Sequence, residues 1–513
     1  MGVVTLTCLG LGAMIGSGIF ALPANMAAVA GPGLILAILI SGLITLFLAL
    51  SYAELGSSIP LTGGPYSLPR LAMGNLGGFI VGWGYYLNLF IGTAAIINVF
   101  VVYLGFYFPN LASGTTLSPL GTVIAVLAIW IFTFINLFGV KWGGLYSIIT
   151  TIGKLIPLLL IVVAGFTVFN GKNFTPFLPY GFSGITLAIT LFFWSYTGFE
   201  VIVIPSGEVK NPKRTIPISI ILTMTICIIV YILIATSFVG MVNWQGLSLK
   251  IGDWVGFNKI SSPLSDVVLA VEGGKLIWLG AIVTIGAIIA TGGAGGSWVL
   301  LQGRMPYAMA KDKLFWNKMN RINKYGVPSS ALIFSSFLTT VILITIPSFP
   351  SIALIASMTA LFAYGAAVLS VPILRKARPN IDRPFKLPIH KTFTLVGFIL
   401  TTFLLYWASW PWTMVGSGLI LSGFLVFLLV RSQKPEGCRI LWMPVYLFGL
   451  ICISFLGDKR FCFNNFTSIK PLNIFPLPYD LVILALFATG IYFWAFFANT
   501  SKQVIENQGE LTF

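Results

Sequence analysis

The feature that most constrains this chain is a near-unbroken series of long apolar runs separated by short polar punctuation. A helix crosses a bilayer with about 20 predominantly apolar residues, and inside lipid its backbone must satisfy its own hydrogen bonds. Fourteen spans are expected, with limits near 3–29, 33–57, 77–107, 119–139, 143–168, 184–205, 215–240, 276–302, 328–346, 351–374, 393–409, 412–430, 440–456 and 480–498. With 57% hydrophobic and 8% charged residues over 513 positions, the composition is that of a polytopic membrane protein. The third span is long enough to need tilt or to run out as an extramembrane turn. Span one lacks a positive n-region and stays apolar past Ala28–Ala30, so it reads as a span rather than a leader.

The net charge of +16 does not point to nucleic acid. With the N-terminus cytoplasmic, 21 Lys and Arg fall inside, 7 fall outside, and Lys154 lies within a span. That bias is the positive-inside rule, so the basic excess encodes topology and both termini are expected in the cytoplasm. Five cysteines form no CxxC pair, and the single histidine, His390, lies in an expected cytoplasmic loop. No metal site, cofactor site or disulfide framework follows, and no phosphate-binding G-x-x-x-x-G-K-[ST] occurs. Transport would therefore run on gradients. Asn173-Phe-Thr and Asn465-Phe-Thr are sequons on expected outside loops, with chance matching the plainer reading.

Two spans carry breaks. "GAMIGSGIFALP" (Gly12–Pro23) puts Gly-Ser-Gly inside span one, and "LFFWSYTGFEVIVIP" (Leu191–Pro205) puts Ser-Tyr-Thr-Gly inside span six. Glycine costs about 1 kcal/mol in a helix and proline about 3, and a freed backbone group in lipid is tolerated where it lines a cavity. Interrupted helices at corresponding places of two halves mark the binding site of inverted-repeat transporters. The outer half of span one would begin near Ser17, Gly18 and Ile19 with free N–H groups suited to a carboxylate. The outer half of span six would end with carbonyls of Phe193, Trp194 and Ser195 suited to an ammonium. One small zwitterion, an α-amino acid, fits both; packing glycines are the bland alternative.

Glu54, Lys154 and Glu200 lie in or near spans. A charge at the bilayer centre costs roughly 2.5–3.5 kcal/mol on insertion scales, which makes each a functional candidate. Desolvation disfavours the charged form of a lysine, so Lys154 is a candidate proton carrier. Its other reading is a permanent cation on carbonyls freed by the first break. Glu200 either pairs with substrate or protons, or caps a helix; Glu54 is a gate or a structural contact. In "ATGGAGGSWVLLQG" (Ala290–Gly303) the glycines read as helix packing, and Trp298 faces either the space they make or lipid.

These residues resemble the amino acid–polyamine–organocation superfamily, whose members share the inverted-repeat fold of the bacterial sodium/leucine symporter. The resemblance rests on "GLGAMIGSGIFALP", "SYAELGSSIPLTGGPYS" (Ser51–Ser67), "FWSYTGFE" with "GEVKNPKRTIP" (Gly207–Pro217), and "GRMPYAMAKDKLFW" (Gly303–Trp316). It implies that Ile15, Gly16, Ser17 and Gly18 bind a substrate carboxylate. It also implies that the Trp194, Ser195, Tyr196 to Gly198 segment binds the amine, with Trp194 and Trp298 placed as in the bacterial arginine/agmatine exchanger. Asn88, Thr93 and Ser357 would face the same pocket, and Lys154 would stand where sodium sits in sodium-coupled relatives. Span eight offers only the separated hydroxyls Thr284, Thr291 and Ser297, which argues against sodium.

The expectation is an all-α, 5+5 inverted-repeat transporter core over 1–374, with repeats 1–168 and 184–374 and four accessory spans over 375–513. It would be a multi-pass plasma-membrane permease for amino acids, driven by protons or exchange, working among membrane lipids as a monomer or homodimer. A polyamine or cationic amino acid is the alternative substrate. A channel is the alternative class, and an enzyme has little support.

Overall fold

The computed structural model describes residues 1–59, 63–139, 143–206, 209–430, 437–462 and 469–500. In chain order its helices are α1 (Val3–Met14), α2 (Ser17–Ala30), α3 (Leu34–Ser58), α4 (Gly64–Leu104), α5 (Pro119–Leu137), α6 (Gly143–Thr167), α7 (Gly181–Tyr196) and α8 (Pro212–Met241). They continue with α9 (Pro263–Leu269), α10 (Ile277–Lys311), α11 (Ser329–Thr345), α12 (Phe349–Ala377), α13 (His390–Trp407), α14 (Trp412–Val430), α15 (Trp442–Leu456) and α16 (Tyr479–Asn499). Among the described residues nine helical runs are long and apolar enough to cross a membrane, and four further apolar helices are shorter. The chain is an all-α polytopic membrane protein.

Helices of this kind are apolar on every side, so sequence polarity does not reveal which ones are central. Packing does. Residues of α12 from Phe349 to Leu374 are almost all buried, and α4 and α7 are nearly as enclosed. By contrast α5 exposes Val123, Leu127, Ile131 and Phe134, and α16 exposes Leu486 and Phe497, as lipid-facing helices do. Lipid tails are as apolar as leucine, so helices associate through close packing and interhelical hydrogen bonds. One such network ties α4, α5, α10 and α11. Gln302 donates to Ser336 Oγ at 3.0 Å, Thr339 donates to Gln302 Oε1 at 2.9 Å, Thr133 meets Ser336 at 2.7 Å, and Tyr86 meets Ser335 at 2.9 Å.

The long third span runs out as a turn over 105–107, and α4 is kinked just before the span begins. Gly74 (φ 81°, ψ −175°) interrupts α4, so the Gly64–Met73 portion is set off from the span proper. Arg70 at this end forms an ion pair with Asp312 just past α10, and the Tyr66 hydroxyl donates to the same carboxylate at 2.9 Å. Glu54 resolves as a contact between helix ends: Arg375 of α12 grips it through Nε and Nη2, both at 2.7 Å, and Leu387 N donates at 2.8 Å.

Three features depart from the expected layout. Span six does not resume as an α-helix after its break; a single 3₁₀ turn, Phe199–Ile202, follows Gly198. The segment between α8 and α10 carries α9 and a 3₁₀ turn, Trp254–Lys259, and a two-stranded hairpin pairs Ala112–Ser113 with Thr116–Leu117. The side chain of Asn173, in the first sequon, is turned into the protein. It is buried, its amide donates to Val239 O and Val242 O, and its Oδ1 accepts from Trp244. Asn465 lies outside the described residues.

Candidate functional site

The two breaks cross each other. α1 ends at Met14, Ile15 is extended (φ −77°, ψ 101°), and α2 restarts at Ser17 after Gly16 with no side chain capping its N-terminus. α7 ends at Tyr196, and Gly198 takes the left-handed φ of +111° before the 3₁₀ turn. A β-carbon on Gly18 would fall 2.9 Å from Ser195 Cα, and one on Gly198 would fall 3.0 Å from the Ala13 carbonyl carbon. The start of α2 thus rests on the end of α7, and the second break rests on the end of α1. Only glycine permits backbones to approach so closely.

Polar groups bind this crossing together. The Trp194 indole N–H donates to Ser17 Oγ at 3.0 Å, tying one break to the other. The Tyr231 hydroxyl, on α8, lies within hydrogen-bond reach of Met14 O (3.0 Å) and Ser195 O (3.2 Å), the last carbonyls of α1 and α7. The sequence reading passed over Tyr231. Its signal was a phenol at mid-run in "IIVYILIATS", since a buried tyrosine hydroxyl seeks a partner.

Lys154 comes from α6 and is buried, and its Nζ donates to Gly12 O at 2.8 Å, in the last turn of α1. Thr151, one turn earlier, donates to Cys8 O at 3.2 Å. A cation at a helix C-terminus meets the negative end of the macrodipole and unsatisfied carbonyls. The contact expected of a lysine on carbonyls near the first break is therefore present, while Glu200 faces elsewhere. Glu200 Oε2 accepts from Gly198 N at 3.0 Å and from Tyr364 at 2.5 Å, and Oε1 accepts from Tyr85 at 3.1 Å. It caps the 3₁₀ turn and links it to α4 and α12.

The remaining candidates divide. Trp298 is 3% exposed, so it faces the interior and not lipid, and its ring stands 5.6 Å from that of Trp194 at 52°. The glycines around it pack α10 on α4: positions 292 and 295 abut Phe100 and Ile97, while Ala294 faces Gly16. α4 packs on α12 at Gly84 with Thr359 and Phe362, and Asn98 donates to Pro347 O just before α12 begins. Asn88 and Ser357 lie on these two packed helices. Among the described residues Asn88 Nδ2 and Oδ1, Ser195 Oγ, Trp298 Nε1 and Ser357 Oγ are buried without a hydrogen-bond partner, as are atoms elsewhere such as Trp442 Nε1 and Ser454 Oγ. Native proteins rarely leave such atoms unpaired.

Two candidates have hydroxyls that donate within the protein. The Tyr196 hydroxyl donates to Ile38 O on α3 at 3.1 Å, so its side chain leaves the crossing and only its backbone lies there. The Thr93 hydroxyl donates back to Leu89 O of its own helix at 2.8 Å. Two carbonyls expected to be free at the second break have partners: Trp194 O accepts from Thr197, and Ser195 O from Tyr231. A cavity of about 560 Å³ opens away from the crossing, among Gly105, Phe106, Leu247, Lys259 and Asp266.

The model of the amino acid permease family matches residues 1–430. The chain is 28% identical to the glutamate/serine transporter AimA of Bacillus subtilis, covering 100% of this chain and 96% of that protein. It is 29% identical to the aspartate-proton symporter of the same organism, covering 99% and 98% of the two chains. It is also 28% identical to the branched-chain amino acid permease BcaP of B. subtilis, covering 85% and 94%. The relatives are transporters rather than enzymes, and they match both the broken-helix region and the helices beyond it. This chain belongs to the amino acid permease family of the amino acid–polyamine–organocation superfamily.

Proposed function

We propose that the protein carries amino acids across the plasma membrane by alternating access, coupled to protons or to exchange, with the substrate held where the two breaks cross. One observation carries the site: the uncapped start of α2 meets the end of α7 there, joined by the Trp194–Ser17 bond. N–H groups of Ser17 and Gly18 at that helix start favour the carboxylate. The C-terminal end of α7, through Ser195 and its neighbours, favours the ammonium. Trp194 and Trp298 form the side-chain wall, and the unpartnered polar atoms of Asn88, Ser195 and Ser357 are further donors and acceptors for the substrate. A zwitterion satisfies both helix ends at once. A polyamine, which has no carboxylate, would leave the α2 start unmatched.

Proton coupling rests on the family resemblance, which puts Lys154 where sodium sits in sodium-coupled relatives; its contact with Gly12 O is shared with the reading of a structural cation. The α10 hydroxyls are engaged otherwise: Thr284 donates to Ser265 Oγ and Gly280 O, Thr291 to Ala287 O, and Ser297 is exposed with its hydroxyl on Gly293 O. A full-length relative named for aspartate and protons supports the same choice. In this reading α1 to α12 form the two inverted repeats, 1–168 and 184–374, and α13 to α16 are accessory spans.

The test is counterflow in proteoliposomes. Preloading with unlabelled amino acid should accelerate saturable uptake of the labelled one. Flux that neither saturates nor responds to preloading would mark a channel and overturn the proposal.

A further inference from the structure

We infer that Gly92 sets the size of substrate side chain the site accepts, by leaving α4 bare where the two indoles rest. The inference builds on the reading that Trp194 and Trp298 wall the substrate. A β-carbon on Gly92 would stand 2.7 Å from Trp194 Cη2, 2.7 Å from Trp298 Cζ3 and 3.2 Å from Trp194 Cζ3. Van der Waals contact between carbons needs about 3.5–4.0 Å, so neither ring keeps its place beside any larger residue. Gly92 is itself buried, one turn along α4 from Asn88.

The two rings are not held alike. Trp194 is anchored at its nitrogen by Ser17, whereas Trp298 Nε1 has no hydrogen-bond partner among the described residues. An added methyl group would therefore displace Trp298 first. Away from α4, the displaced ring moves toward the crossing and into the space for the substrate side chain. The depth of that space is thus fixed by a residue on α4, outside the two broken helices. Its role is positioning: it acts on substrate through the indoles.

Gly92→Ala is the direct test, read as relative uptake across glycine, alanine, serine, leucine and phenylalanine in proteoliposomes. The ratio of the preferred small substrate to the larger ones should rise at least tenfold. Adding Trp298→Phe should return the ranking toward that of the parent, because the shorter ring leaves room into which Trp194 can shift. A structural role alone would lower all substrates together and show no such rescue. If Gly92→Ala fails to accumulate, the double variant decides: accumulation with the parent ranking supports the inference, and failure of both variants overturns it. An unchanged ranking in an accumulating Gly92→Ala protein also overturns it. If Trp298→Ala alone changes the ranking while Gly92→Ala does not, the indole wall stands and only the role of Gly92 falls.

Discussion

Replacing Lys154 separates its structural contribution from its role in coupling. Its ammonium is buried and donates to Gly12 O at 2.8 Å. Lys154→Met keeps an unbranched chain of similar length and deletes that hydrogen bond. A hydrogen bond to a charged group contributes about 1.5–3 kcal/mol, and the favourable charge at the helix C-terminus adds about 0.3–1 kcal/mol. Against this, the variant no longer buries a cation, which costs roughly 2.5–3.5 kcal/mol on insertion scales. The two sides nearly cancel, so the variant should insert, fold and melt within a few degrees of the parent. Its function should not be spared. In proteoliposomes with an imposed pH gradient and no sodium on either side, gradient-driven uptake should fall to background while counterflow persists. Lys154→Arg should behave the same way, because guanidinium keeps its proton in proteins. A parent protein that requires sodium, or an arginine variant with the full pH response, would refute the reasoning and leave Lys154 a structural cation.

Three further outcomes follow from the geometry. Gly18→Val should abolish uptake, because its β-carbon would meet Ser195 backbone at 2.9 Å; overpacking of this kind costs about 1–3 kcal/mol, and normal uptake with normal expression would contradict it. Tyr231→Phe leaves Met14 O and Ser195 O short of a donor; it should lower thermal stability by about 1–3 kcal/mol and slow exchange, and an unchanged melting curve would show that the bridge contributes nothing. Glu54→Ala strands the Arg375 guanidinium and Leu387 N, at a cost of about 3–5 kcal/mol for breaking a buried pair; the Glu54→Ala/Arg375→Met double variant should melt higher than the single, and strictly additive losses would argue against the pairing.

Apolar length and interrupted helices are local properties, and both were legible in the sequence. The first span does break at Ile15 and Gly16 and the sixth at Thr197 and Gly198, because glycine and extended residues leave no continuous ladder there. The crossing of the breaks was not legible, since it depends on how α1, α2 and α7 rotate against one another. For the same reason the partner of the Tyr196 hydroxyl, Ile38 O on α3, was not legible: Tyr196 shares its helix with Trp194, but at two residues' separation the side chains point to different faces. Glu200 shows a different limit. Its cap contact follows from a carboxylate placed after a left-handed glycine, but its tyrosine donors come from α4 and α12, more than a hundred residues away on either side. Mid-span tyrosines were the available signal, because a phenol enclosed in a membrane protein needs an acceptor.

The central claim is that the start of α2 binds a carboxylate while the end of α7 binds the amine of the same molecule. The most direct measurement is competition of labelled amino acid uptake by the unlabelled parent compound and by its carboxamide, in proteoliposomes at one pH. At a pH of about 6 the carboxamide keeps size, side chain and ammonium, since an α-amine beside an amide titrates at about 8, and it loses the negative charge. The account predicts that it competes at least tenfold more weakly, about 1.4 kcal/mol or more. Equal competition by the two compounds would contradict it.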